Sequence, residues 1–325
     1  MKFKELSNGM CDGFALLKKC EEKTAKNGSA YLDVVLADKE GEIPAKLWNF
    51  TQSGLYQQDM IVKVRGTKEE YNGKEQFRIA QMRPVNDQDD YNLSDLVPSS
   101  DIGGQQLYDM IVKRVNAFEN EDLKKIVLKI LYEHKDALIK YPAALRLHHA
   151  MVGGLMYHTM SIVRMAEEIC KIYPNVNRDL LLSGVILHDV AKTWELETST
   201  TGLAKAYTND GQLIGHLVKG AMYVNDTARE LGIDSEVVTL LEHMILSHHG
   251  EPDYGAAVRP MFLEAEILSC LDSLDATIYE INNAVSKVEV HKFTDRQWAL
   301  DNRKLYNHGL SGTEHKVNFT AEEDK

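Results

Sequence analysis

Leu180–Lys192 reads LLLSGVILHDVAK, and the fold turns on how a histidine and an aspartate follow eight apolar or small residues. Leu181, Val185, His188 and Lys192 share one face at helical spacing, so an imidazole points the way the core does and Asp189 stands beside it. A neutral imidazole or a carboxylate held among aliphatic side chains costs several kcal/mol unless it is paired or bound to a cation. The same placement recurs on both sides. Upstream, His158 lies on the stripe Leu155, Ile162, Met165 and Ile169. Downstream, His216 flanks Leu213, Leu217, Gly220 and Val224, while Val237, Leu241 and Met244 lead to His248-His249. On the last helix Leu268, Asp272 and Asp275 lie on one side. One such histidine is ordinarily a satisfied core residue; five placements together call for a shared partner.

Divalent metal is the economical partner, because imidazole nitrogen and carboxylate oxygen suit Mn, Fe, Co, Ni or Zn and the cation removes the burial penalty. A mixed His and Asp set without Cys argues against a purely structural zinc site. Asp189 has two oxygens and can serve two ions. Two ions about 3.5–4 Å apart generate a hydroxide at neutral pH and clamp an in-line displacement at phosphorus.

The chain around this constellation is long enough for about two domains. With 44% hydrophobic residues it can bury a sizeable core. The four cysteines, Cys11, Cys20, Cys170 and Cys270, form no CxxC pair and read as reduced thiols. No run of about 18 apolar residues is present, and MKFKELSNGMCDG lacks a signal peptide's apolar stretch. A cytoplasmic protein without membrane contact is expected. The net charge of -12 excludes a protein that coats nucleic acid over its whole surface. Residues 1–85 nevertheless carry 14 Lys and Arg against 12 Asp and Glu, so that part is where a polyanion would dock.

Residues 1–85 are expected to be a five-stranded all-β barrel of the OB type. Short strands begin at Phe14, Tyr31, Ile43, Met60 and Glu75, Pro44 marks an edge or strand start, and Asn72-Gly73 makes a hairpin. Such barrels bind single strands by stacking bases on aromatic rings beside basic side chains. Tyr31, Trp48, Tyr71 and Phe77, with Lys19, Lys46, Lys63, Arg65 and Arg78, are the candidates. Residues 86–102, in the polar stretch PVNDQDDYNLSDLVPSSD, read as a weakly ordered linker. Residues 103–290 read as an all-α bundle that opens with a helical hairpin capped by Asn120. Residues 291–325 read as a polar tail whose Trp298, Leu300 and Leu305 dock on a neighbouring subunit of a homo-oligomer or close over substrate.

The order H...HD...H...HH...D resembles the HD-domain phosphohydrolase superfamily, and His158, His188, Asp189 and Asp272 match its defining signature. HHAMVGGLMYHT, LHDVAKTWEL, DGQLIGH and ILSHHGEPDYG resemble the YhaM family of 3′-to-5′ exoribonucleases, which join an OB domain to an HD domain. The resemblance runs from about Gly13 to about Ala284. It implies a manganese-dependent enzyme, with two ions, that trims single-stranded RNA, and DNA as a second substrate class, from the 3′ end to nucleoside 5′-monophosphates. His158, His188, Asp189 and Asp272 would then hold one ion, and Asp189, His216 and either His248 or His249 the second. Asp189 and Lys192 are the catalytic candidates, Lys192 neutralising charge on the phosphate. Asp275 would orient a ligand imidazole, and His148, His149 and His243 are candidate substrate or acid groups, with ordinary helix-end or surface histidines as the alternative. Ala191 stands where many HD proteins have Gly, and the GYP signature of cyclic-dinucleotide phosphodiesterases is missing after His249. Gly154 occupies the position of the acid histidine of cyclic-nucleotide phosphodiesterases, so the leaving-group acid is unassigned. An HD phosphohydrolase acting on nucleotides and a non-catalytic single-strand-binding regulator are the rival readings.

Overall fold

The computed structural model describes residue 3 and residues 9–39, 41–48, 50, 54–71, 73–86, 88–97, 99–100, 102–145, 149–199, 201–313 and 315–319. Asn72 and His148, both singled out in the sequence, lie outside them, as does the ring of Tyr71. Two compact units divide the chain: Met1–Ser99 with Thr198–Lys205, and Ser100–Glu197 with Ala206–Lys325.

The first unit is a closed barrel of strand order β1-β2-β3-β5-β4, built from β1 (Gly9–Thr24), β2 (Ala30–Ala37), β3 (Glu42–Trp48), β4 (Ile61–Tyr71) and β5 (Lys74–Pro84). β1 starts five residues before the expected Phe14 and does two jobs: Gly9–Leu16 pairs with β4 and Leu16–Thr24 with β2, which closes the barrel. The parallel β3–β5 register runs over Ala45–Leu47, past Pro44, whose missing N–H is therefore not needed there. Alternate residues point inward, Leu32, Val34 and Leu36 on β2 being matched by Ile43, Ala45 and Leu47 on β3. The register slips between Arg65 and Gly66, where a Cβ on Gly66 would stand 2.3 Å from the Arg78 carbonyl oxygen, so only glycine fits.

Phe77 is fully buried inside this barrel. Its assignment as a base-stacking residue is thereby corrected: the largest ring on β5 faces inward because the barrel needs it as filling. The stretch after β5 also departs from a loose linker. Arg83 forms a two-point ion pair with Asp89, the rings of Phe14 and Tyr91 lie 5.2 Å apart, and Leu96 and Val97 are buried. Apolar residues spaced through a polar segment were enough to fasten it.

The second unit is helical: α1 (Gly104–Asn116), α2 (Glu121–Leu138), α3 (Gly154–Ile172), α4 (Arg178–Leu187), α5 (Lys192–Glu195), α6 (Asn209–Leu231), α7 (Glu236–Ser247) and α8 (Leu263–Val285); between α5 and α6 the chain makes a small hairpin of β6 (Leu196–Thr198) and β7 (Ala204–Tyr207), whose Thr198–Lys205 portion belongs to the first unit. Asn120 caps α2 as expected, accepting from the N–H groups of Asp122 and Leu123. Every residue of α4 from Leu180 to Leu187 is buried, the mark of a helix that is apolar all round and sits at the centre. α4 packs against α3, α7 and α8. Gly184 permits this, since a Cβ there would meet the Met244 methyl at 2.2 Å.

α6 is broken at Gly215 (φ 77°, ψ 161°). The break turns Leu213 out to solvent at 84% exposure while Leu217, Gly220 and Val224 stay buried, so the expected stripe starts two residues after the kink, at Leu217. The C-terminal stretch is no free tail. Phe293 and Gln297 bridge to Tyr306 and Arg303, Leu300 is buried, and Phe319 packs edge-on against Tyr157 at 4.7 Å. It docks on its own helical unit. Among the described residues no helix is long and apolar enough to cross a membrane, and all four cysteines are free.

Candidate metal centre

Except for His158 within α3 and Asp272 within α8, the ligand candidates sit where helices stop or break. His188 caps the C-terminus of α4, Asp189 opens the turn that follows, His248 caps α7, and His216 is the first residue after the Gly215 break. A helix end leaves its last carbonyls without helical donors, and the capping histidines fill that need: Nδ1–H of His188 donates to the Val185 carbonyl and that of His248 to Ile245, each at 2.7 Å. His249 Nδ1–H donates to the Tyr254 carbonyl at 2.9 Å. Because a carbonyl can only accept, these bonds place the proton on Nδ1 and leave Nε2 with a bare lone pair. Carboxylates anchor the other two rings: His158 Nδ1 on Asp275 at 2.7 Å and His216 Nδ1 on Glu195 at 3.0 Å. Each imidazole is thus oriented from behind.

The free ends converge. His158 Nε2 lies 3.0 Å from Asp272 Oδ1 and 3.9 Å from Asp189 Oδ2. His188 Nε2 is 3.3 Å from Asp189 Oδ2 and 3.8 Å from Asp272 Oδ1. On the other oxygen of Asp189, His216 Nε2 stands at 3.4 Å and His248 Nε2 at 3.8 Å. Ligand atoms of His158, His188 and Asp189 lie within 4.8 Å of one another, and so do those of His216, His248 and His249. Four buried atoms, His188 Nε2, Asp189 Oδ1, His216 Nε2 and His248 Nε2, have no hydrogen-bond partner among the described residues. Three bare imidazole lone pairs and a carboxylate oxygen facing one another without a donor fit a divalent cation and little else.

The electrostatics agree. Burial works against carboxylate charge, yet the Lys192 ammonium holds Asp189 well below its usual range, and the His158 hydrogen bond does the same for Asp272. Burial opposes a charge on His158, but Asp272 and Asp275 outweigh it and raise that imidazole to about 10. Burial, then the neighbouring His188 and His249, pushes His248 down. Carboxylates that stay ionised beside an imidazole kept neutral are the donor set a cation needs.

Asp275 bonds the His158 ring, as the sequence suggested, and it also accepts from Ser161 Oγ and contacts His149 Nε2 at 2.8 Å. His149 therefore stands behind the His158 ring, on the other side of Asp275. Burial lowers it to about 4, the Asp275 bond opposing. Lys192 has a different neighbour from the one expected: its Nζ lies 2.7 Å from Asp189 Oδ2 and is largely buried. His243 stands apart from the cluster. Five residues before His248 it faces another side of α7, where Nε2 accepts from the Met261 N–H at 3.0 Å. A side chain at Gly154 is also excluded, since a Cβ would be 2.0 Å from the His149 carbonyl oxygen. Sequence reading missed Glu195 and Ser161; a Glu seven residues after His188, between Trp194 and Leu196, was the one available signal.

A cavity of about 410 Å³ opens beside His248, His249 and Asp272. On the barrel, the rings of Tyr31 and Trp48 stack at 4.6 Å, Lys46 stands 5.5 Å over Tyr31, and Trp48 is 40% exposed. Lys46 is in register with Arg78, which is exposed. Arg65 joins Lys63, Arg83 and Asp12 around a separate depression near the other end of β4. Lys19 is exposed and pairs with Glu21. The basic set is therefore two groups rather than one.

The family model described as HD domain matches residues 155–277, which span every ligand candidate. A helicase family model, TraI_2, matches residues 100–175, which hold His158 alone of that set. The chain is 37% identical over 297 residues to the 3′-5′ exoribonuclease YhaM of Bacillus subtilis, covering 91% of this chain and 94% of that one. It is 39% identical over 298 residues to the YhaM of Listeria welshimeri, covering 90% and 94%. Among solved structures, the HD domain of the Listeria monocytogenes phosphodiesterase PgpH aligns with 47% of this chain and 73% of its own, at 17% identity and a TM-score of 0.30, too low to carry an argument. With identity of this level over nine-tenths of both chains, the protein belongs to the YhaM family of 3′-5′ exoribonucleases.

Proposed function

We propose that this protein is a metal-dependent hydrolase that removes nucleotides from the 3′ end of single-stranded RNA, with nucleoside 5′-monophosphates as products. The observation that carries the reading is the set of four buried, unpartnered ligand atoms on His188, Asp189, His216 and His248. His158, His188, Asp189 and Asp272 would hold one cation, and Asp189, His216, His248 and His249 a second, with Mn the first candidate. Such cations supply Lewis acidity at phosphorus and a nucleophilic water at neutral pH. The protein's own part is orientation. Val185, Ile245, Tyr254, Asp275 and Glu195 fix five rings from behind, so no ligand has to be ordered when substrate arrives. Lys192 keeps Asp189 ionised, acting as a positioning residue. Tyr31 and Trp48, with Lys46 and Arg78, would stack and hold the incoming strand.

The test is a 5′-labelled single strand incubated with Mn-loaded protein. A ladder of shortened labelled species and free 5′-monophosphates is expected, abolished by chelator and by Asp189→Ala while strand binding persists. Turnover of free nucleotides alone would favour the nucleotide phosphohydrolase reading, and inert binding with Mn, Fe, Co and Ni would favour a regulator.

A further inference from the structure

Beyond the metal ligands, α8 sends a second polar row into the same cavity. Ser273, Thr277 and Glu280 line it beside Asp272, and Ala299 and Leu300 of the C-terminal segment line it as well. Positions 273, 277 and 280 fall on one helical face, and Glu280 lies eight residues past Asp272, about 12 Å along the axis. A volume of about 410 Å³ is at the small end of ligand sites, on the scale of one nucleotide. Glu280 has no hydrogen-bond partner among the described residues, and burial pushes its carboxyl upward with only Lys287 opposing. A carboxylate facing a cavity accepts from hydroxyl groups and repels phosphate.

We propose that this cavity seats the 3′-terminal nucleoside and that Glu280 selects strands ending in a free 3′ hydroxyl, the device that makes the enzyme an exonuclease. The inference rests on the exonuclease reading above. A terminal ribose offers O–H donors to Glu280, with Thr277 and Ser273 as further partners. A strand that continues past this point, or ends in a 3′-phosphate, would set a negative charge against the carboxylate. An internal phosphodiester therefore cannot settle at the metal ligands as well as the last one can.

Three 5′-labelled RNAs test this, identical except for a 3′ hydroxyl, a 3′-phosphate or a 2′-deoxy terminal nucleotide. Wild-type protein is expected to prefer the 3′ hydroxyl over the 3′-phosphate by about tenfold or more. Glu280→Gln keeps the shape and removes the charge, so this preference should collapse toward unity, chiefly through KM. Thr277→Val provides a second, milder variant, expected to raise KM for hydroxyl-ended RNA. Bis(p-nitrophenyl) phosphate, which has no ribose, reports the metal centre in each preparation. Glu280→Gln retaining the wild-type preference would overturn the proposal. So would equal losses on RNA and on the small diester, which would assign Glu280 to the centre itself. Wild-type protein that cleaves the diester and no RNA would instead overturn the exonuclease reading.

Discussion

Glu195 offers the sharpest test of how the centre is held. Its Oε1 accepts from both the ring Nδ1–H and the backbone N–H of His216, at 3.0 and 3.1 Å, and the residue is buried. Glu195→Ala strands two buried donors at about 1–3 kcal/mol each, so unfolding stability should fall by about 2–6 kcal/mol. The His216 ring also loses the bond that fixes its tautomer, and the loss of such a partner costs about 10–100-fold in metal affinity, or about 1.4–2.8 kcal/mol. Glu195→Gln keeps an oxygen for the two donors and loses the charge, so it should fall between. Calorimetric titration of Mn into chelator-stripped protein, with urea unfolding on the same samples, measures both quantities. An alanine variant that is destabilised yet binds Mn with wild-type affinity and stoichiometry would refute the claim that Glu195 orients a ligand.

Other expectations follow from the same geometry. His149 is lowered to about 4, so its neutral form is favoured by folding; that stability is present above about pH 6.5 and is lost as pH falls toward 4. His158, raised to about 10, contributes the opposite slope, lost as pH rises from about 6.5 toward 10. Melting of metal-free protein should therefore be most resistant near pH 6.5, and Mn, competing with the proton on Nε2 of His158, should move the maximum upward; a midpoint flat from pH 5 to 9 would count against it. Lys192→Ala removes the cation from buried Asp189 and should cost about 3–5 kcal/mol in metal-free protein, and less with Mn present, as paired melts would reveal. Trp48→Ala should weaken binding of a long strand by about 1–3 kcal/mol, raising KM for a 20-mer more than for a dinucleotide, whereas Phe77→Ala should unfold the barrel in circular dichroism.

Much of this was legible in the sequence because burial is written in periodicity. Eight apolar or small residues before His188, with Lys192 one turn beyond on the same face, fit a central helix, and Asn120 announced α2 by its side chain. The number of barrel strands followed from turn residues. What escaped was set by tertiary context. A glycine in a helical pattern gives no notice of a break, so Leu213 was placed inside when Gly215 turns it out. Inward and outward aromatics on a strand look alike unless register is known, which is why Phe77 was grouped with Trp48. Glu195 is a charged residue near a helix end, a description that also fits ordinary surface; only its contact with His216 distinguishes it.

The capping positions of His188 and His248 carry a consequence for how this chain can vary. Each ring reaches the centre because α4 and α7 terminate where they do. One added or deleted residue upstream within either helix would rotate its histidine by about 100° around the axis and pull it from its carbonyl anchor. Length changes should therefore be tolerated in the Ser199–Leu203 turn or near Ser286, and scanning insertions through Leu181–Leu187 or Leu241–Ser247 should abolish metal uptake even when an apolar residue is chosen.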